Sequence, residues 1–177
     1  GYLMVGMVAA RHVSADPGMA GILFYLIAYI LMNLGAFIAV TLASGTGRDR
    51  VDIASYAGMG FQHPLLAAAL AVCMFSLAGI PLTAGFMGKF YVFGAAIKIG
   101  YVGLAIIAVL NSVLSFYYYL RVVVVLYMFE KSSNDPCDRF SLSAIFALAI
   151  AVAGTLLLGV APGSLMAAAM AAAAFIP

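Results

Sequence analysis

The sequence predicts an all-α protein, a polytopic transmembrane helix bundle with one discontinuous helix. Three observations predict it. Hydrophobic residues make up 67% of the chain, charged residues only 8%, and mean hydropathy is +1.18. Soluble domains carry about 25% charged residues, so this chain cannot cover itself with a solvated surface. Long uncharged runs alternate with short polar breaks, as spans alternate with loops. One of those runs is interrupted by Gly79, Pro81, Gly85, Gly88 and a lysine, Lys89, within a stretch that is otherwise apolar.

Taken in order, "GYLMVGMVAA" (1–10) is half the length of a span and reads as the end of a truncated first helix. It has neither the positive leader nor the cleavage site of a signal peptide, and the whole chain reads as a fragment. "RHVSADPG" closes it, with His12 in solvent. Residues 19–43 carry no charge and suffice for one tilted span. A Gly-rich loop, 45–62, carries Arg48, Asp49, Arg50 and Asp52. His63-Pro64 opens the next helix, since proline suits a first turn. Spans over 101–129 and 140–161 follow, with the hydrophilic loop 130–139 between them. Residues 163–177 form an interfacial tail. The reading is therefore one membrane domain over 1–177 and no soluble domain.

The run 63–98 is too long for one straight crossing, at roughly 54 Å as a helix against a hydrocarbon core of about 30 Å. Halved at Pro81, each piece has about 17 residues, the minimum for a span. Two spans would need a polar turn, and "GIPLTAG" contains no charge. A single tilted helix broken near mid-membrane is the better fit. Such a break is tolerated only inside protein or beside a wet cavity, and broken helices recur at transport sites. With one crossing, Arg48, Arg50, Lys131 and Arg139 share one side and Arg11 and Lys98 the other. The positive-inside rule then makes loops 45–62 and 130–139 cytoplasmic.

Lys89 is the leading site residue. An ionisable group at that depth costs about 2.5–3.5 kcal/mol on insertion scales and marks function by default. A buried amine can gain and lose a proton as neighbouring charges change, which is what a proton relay requires. Gly79, Gly85 and Gly88 leave room around it for water or for a close helix. The competing reading is a lysine that snorkels to the interface, as Lys98 does at the end of the run, or a dry packing role. Weaker candidates are His63, as a proton-path residue at a channel mouth or a polar helix start, and Tyr118. Tyr118 belongs with Tyr117, Tyr119 and Arg121 to "FYYYLR", either an interfacial anchor or part of a hydrated path. Asn33, Ser76, Thr83, Asn111 and Ser112 can carry water or simply join helices.

Other chemistry is excluded. The chain has no P-loop, GxGxxG, HExxH or paired-cysteine metal motif. Cys73 and Cys137 lie in unlike settings and form no framework. The net charge of +2, without a basic cluster, argues against nucleic acid.

Three stretches carry a resemblance. "HPLLAAALAVCMFSLAGIPLTAGFMGKFYVF" resembles the broken-helix signature of the antiporter-like membrane subunits of respiratory complex I. "FYLIAYILMNLGAFIAV" resembles the helix before it, and "NSVLSFYYYLRVVVVLY" the helix after it in the subunit N branch, which "GFMGKF" with "YYYLR" also matches. The resemblance covers nearly the whole chain and points to a C-terminal portion. It implies a proton-translocating subunit of NADH–quinone oxidoreductase, with Lys89 as the output-side proton carrier. It also implies the other membrane subunits of complex I and the lipid bilayer as partners, and an inner (plasma) membrane location. NAD, FMN, iron–sulfur clusters and quinone are implied for the whole complex, with no cofactor and no redox step on this chain. Multi-subunit monovalent cation/proton antiporters can also carry a lysine at this place and are the alternative.

Overall fold

The computed structural model of the chain describes residues 1–10, 17–45, 52–129 and 141–173. All regular elements among the described residues are helices: α1 (Tyr2–Ala10), α2 (Pro17–Ser44), a 3₁₀ turn (Ile53–Tyr56), α3 (Met59–Gln62), α4 (Pro64–Ala78), α5 (Ala84–Lys98), α6 (Val102–Met128), α7 (Leu142–Val160) and α8 (Gly163–Ala173). Three of them, α2 from Gly18, α6 and α7, are long and apolar enough to cross a membrane.

α2 is the central helix, packed against α1, α4, α5, α7 and α8. Its buried residues run along two faces, Ala20, Phe24 and Ala28 on one and Tyr25, Met32, Ala36 and Ala39 on the other. The small residues let neighbouring backbones approach, the usual means of packing where lipid supplies no hydrophobic contrast. By contrast α6 and α7 turn Ile106, Ile107, Leu110, Leu114, Leu157 and Val160 outwards. Exposed aliphatic surface of that kind suits hydrocarbon, not water.

The contacts along α2 decide how α4 and α5 cross. Gly21 backs onto Tyr91, Gly88 onto Tyr25, Ser76 onto Met32 and Gly35 onto Cys73. As the α2 number rises, the partner number falls without reversal through α5 and then α4. The two short helices therefore continue in one direction, a single interrupted crossing antiparallel to α2. The interruption falls between the levels of Tyr25 and Met32, near the middle of the 28-residue α2.

The structure adds detail to the sequence reading. The break begins at Gly79, whose φ of 93° ends α4, and Pro81 follows inside the turn. The loop 45–62 contains the 3₁₀ turn and α3, which dock on the end of α6 through a Gly58 N–H to Val125 carbonyl bond. The tail expected as a short interfacial helix is the helix α8, which packs Met166 and Ala169 against α2. Tyr118 and Tyr119 lie about 14 Å before the end of α6 at Met128. Arg11, His12, Arg48, Asp49, Arg50, Lys131, Cys137 and Arg139 lie outside the described residues.

Candidate functional site

The site is built on the way α4 ends. Gly79 donates its N–H to the carbonyls of Phe75 and Ser76, and Ile80 donates to Phe75, all at 3.0 Å. This is a Schellman motif, which needs the left-handed backbone that glycine adopts without penalty. It leaves two of the four terminal carbonyls of α4, those of Leu77 and Ala78, without helical donors. Lys89 Nζ donates to both, at 2.9 and 3.0 Å. Its third hydrogen goes to Ser112 Oγ on α6 at 3.0 Å. An ammonium has three donors, so all are used.

Electrostatics favour the same place. A helix C-terminus carries about half a negative elementary charge, to which a cation is drawn. The face of the Tyr2 ring lies 5.1 Å from Nζ and adds a second attraction. Lys89 is only 5% exposed. Among the described residues no carboxylate bonds it. Lys98, in the last turn of α5, is exposed.

The start of α5 is fixed by the end of α4. The first N–H groups of a helix lack partners, and that of Gly85 donates to Ser76 Oγ at 3.0 Å. Gly85 also lies against the Ser76 carbonyl so closely that no β-carbon fits. Gly88 meets the Tyr25 ring and backbone in the same way, and Gly159 of α7 faces the Leu82 carbonyl. Leu82 itself holds a φ of 70°. A non-glycine residue there is strained and persists only where its surroundings enforce it.

Beside Lys89 opens a cleft of about 520 Å³, walled by α1, α2 and α6. Tyr2, Tyr25, Tyr29, Asn111, Ser115 and Tyr119 line it, together with Leu77 and Tyr118. Tyr2 thus touches both the amine and the cleft. Such a space is roomy and polar enough to hold water.

Of the residues singled out in the sequence, Lys89, Gly79, Gly85, Gly88, Ser76 and Ser112 come together. Tyr118 and Asn111 join them through the cleft. Pro81 is exposed in the turn. His63 stands at the opposite end of α4, about 24 Å from the break. Asn33 and Thr83 bond only to nearby carbonyls, of Tyr29 and Ile80. Tyr2, Tyr25, Tyr29 and Ser115 were not legible as site residues, because they arrive from distant helices and stand in ordinary apolar context.

Comparison with known proteins agrees with this architecture. Residues 1–115 match the family model described as NADH:quinone oxidoreductase/Mrp antiporter, TM. The chain is 46% identical over 168 residues to NADH-quinone oxidoreductase subunit N of Trichlorobacter lovleyi, covering 94% of this chain and 33% of that protein. It is 42% identical over 164 residues to NADH-quinone oxidoreductase subunit N 1 of Solibacter usitatus, covering 92% and 33%. The chain thus spans about a third of the length of these relatives. Its fold is similar to a chain of respiratory complex I from Thermus thermophilus, with a TM-score of 0.78 and 29% identity over 94% of this chain and 36% of that one. It is also similar to the Mrp complex from Dietzia sp., with a TM-score of 0.81 over 98% of this chain and 40% of that one. At 21% identity, that second likeness concerns the fold alone.

Proposed function

From the premise that this chain belongs to the NADH:quinone oxidoreductase/Mrp antiporter transmembrane family, we propose that it is part of a subunit N of NADH–quinone oxidoreductase. In that role it carries protons across the membrane while other subunits pass electrons from NADH to quinone. The redox groups, NAD, FMN, iron–sulfur clusters and quinone, are assigned to those subunits. The chemistry of this chain is proton transfer.

Lys89 is the proton carrier in this reading. The observation that supports it is an amine held mid-span at a helix break, beside a polar cleft. A cation there is matched by two carbonyls, a hydroxyl and a ring face, and the polar cleft lies beside it. Gly79, Gly85 and Gly88 let the two half-helices and α2 close around it. Tyr118 contributes to the cleft wall, and His63 is too distant for direct exchange with Lys89. The partners proposed are the other membrane subunits of complex I, in the inner (plasma) membrane. Because α4 and α5 cross once, loops 45–62 and 130–139 fall on one side, and their four basic residues make that side cytoplasmic.

The family to which the chain belongs also takes in Mrp antiporters, which supports a second reading, a monovalent cation/proton antiporter subunit. Vesicles holding the complete native assembly distinguish the two. The first reading expects NADH oxidation to drive lumenal acidification with no requirement for Na⁺. Acidification that needs an imposed Na⁺ or K⁺ gradient and ignores NADH contradicts it.

A further inference from the structure

We propose that Ser112 is the residue through which Lys89 exchanges its proton with the tyrosine-lined cleft. The proposal rests on Lys89 being the carrier and adds the route by which its proton moves.

The three partners of the amine are not equivalent. The carbonyls of Leu77 and Ala78 can only accept hydrogen bonds, whereas the Ser112 hydroxyl can accept and donate. Around the charged amine all three accept. Once the amine is neutral it has two hydrogens and one lone pair. The two carbonyls still match the two hydrogens. The lone pair needs a donor, and only Ser112 can turn its hydrogen towards it. Ser112 is thus the one hydrogen-bonding partner that suits both protonation states without movement of the backbone.

Its position suits transfer as well. Ser112 is half-buried on α6 and bonds the amine, while Asn111 and Ser115 on the same helix line the cleft. Ser115 donates its hydrogen to the Ser112 carbonyl at 2.7 Å, which leaves its oxygen to accept. In the outward step an N–H bond of Lys89 breaks and an O–H bond forms at Ser112. The original Ser112 hydrogen passes to a water molecule in the cleft, giving hydronium and a neutral amine. Ser112 ends as it began, a neutral hydroxyl. The inward step is the reverse.

The test uses the full-length subunit in the intact complex in sealed vesicles. NADH-driven acidification is compared for Ser112→Ala, Ser112→Thr and Lys89→Met at equal subunit content. Acidification should fall in Ser112→Ala to the level of Lys89→Met, while Ser112→Thr, which keeps the hydroxyl, retains at least about half the native rate. Native acidification in Ser112→Ala with loss in Lys89→Met overturns the Ser112 route and leaves the carrier standing. Native acidification in both overturns the carrier and the route with it. Equal loss in Ser112→Ala and Ser112→Thr overturns the route in favour of packing. Should the alanine variant fail to assemble, Ser112→Gly, which also removes the hydroxyl, is scored by the same outcomes.

Discussion

Gly79 and Lys89 occupy one small space. A β-carbon on residue 79 would stand 3.1 Å from Lys89 Nζ and 3.3 Å from its Cδ. The residue that ends α4 is therefore also the floor on which the lysine stem lies. Backbone conformation and charge placement are set by the same missing side chain.

Gly79→Ala carries two penalties. The left-handed backbone costs an alanine about 1–2 kcal/mol. The added methyl also presses on a side chain that is tied by three hydrogen bonds. The variant should lower the thermal stability of the assembled subunit and reduce NADH-driven acidification together. Differential scanning of the intact complex and vesicle acidification read the two effects.

Gly85 is a stricter case, because its neighbour is backbone. A β-carbon there would fall on the Ser76 carbonyl, which has no rotamer to change. Overpacking of this kind costs about 1–3 kcal/mol. Gly85→Ala should therefore reduce the amount of assembled complex on a native gel. Gly94, on the same helix, has no atom within 4 Å of the corresponding position. Gly94→Ala should assemble normally, and equal loss in both would refute a packing cause.

Much of this fold is legible in the chain, for a physical reason. α2 and α7 are uncharged apolar runs and α6 carries the single charge of Arg121, and bilayer thickness turns such runs into helices of known length. Gly79 and Pro81 both mark the break in the sequence, and α4 ends at the first of them. Proline commonly follows a helix terminator, and the terminator here is Gly79, whose left-handed backbone completes the hydrogen bonds of α4. The 3₁₀ turn and α3 were hidden in a polar, glycine-rich stretch without helical periodicity. Lys89 stood out through the cost of burying its charge. Its partners did not, because Tyr2 and Ser112 reach it from α1 and α6. Leu77 and Ala78 contribute only backbone, which carries no mark in the sequence.

The most direct measurement is proton pumping by the intact complex carrying Lys89→Met. The substitution keeps an unbranched stem of similar size but removes the amine, leaving the Leu77 and Ala78 carbonyls without their donor. That loss can destabilise the subunit by about 1–3 kcal/mol per carbonyl, so complexes of native subunit content are the ones to score. In those complexes NADH-driven acidification should fall at least about tenfold, as loss of a positioned proton-transfer group requires. Acidification at the native rate, with the subunit in place, would contradict the role given to this lysine.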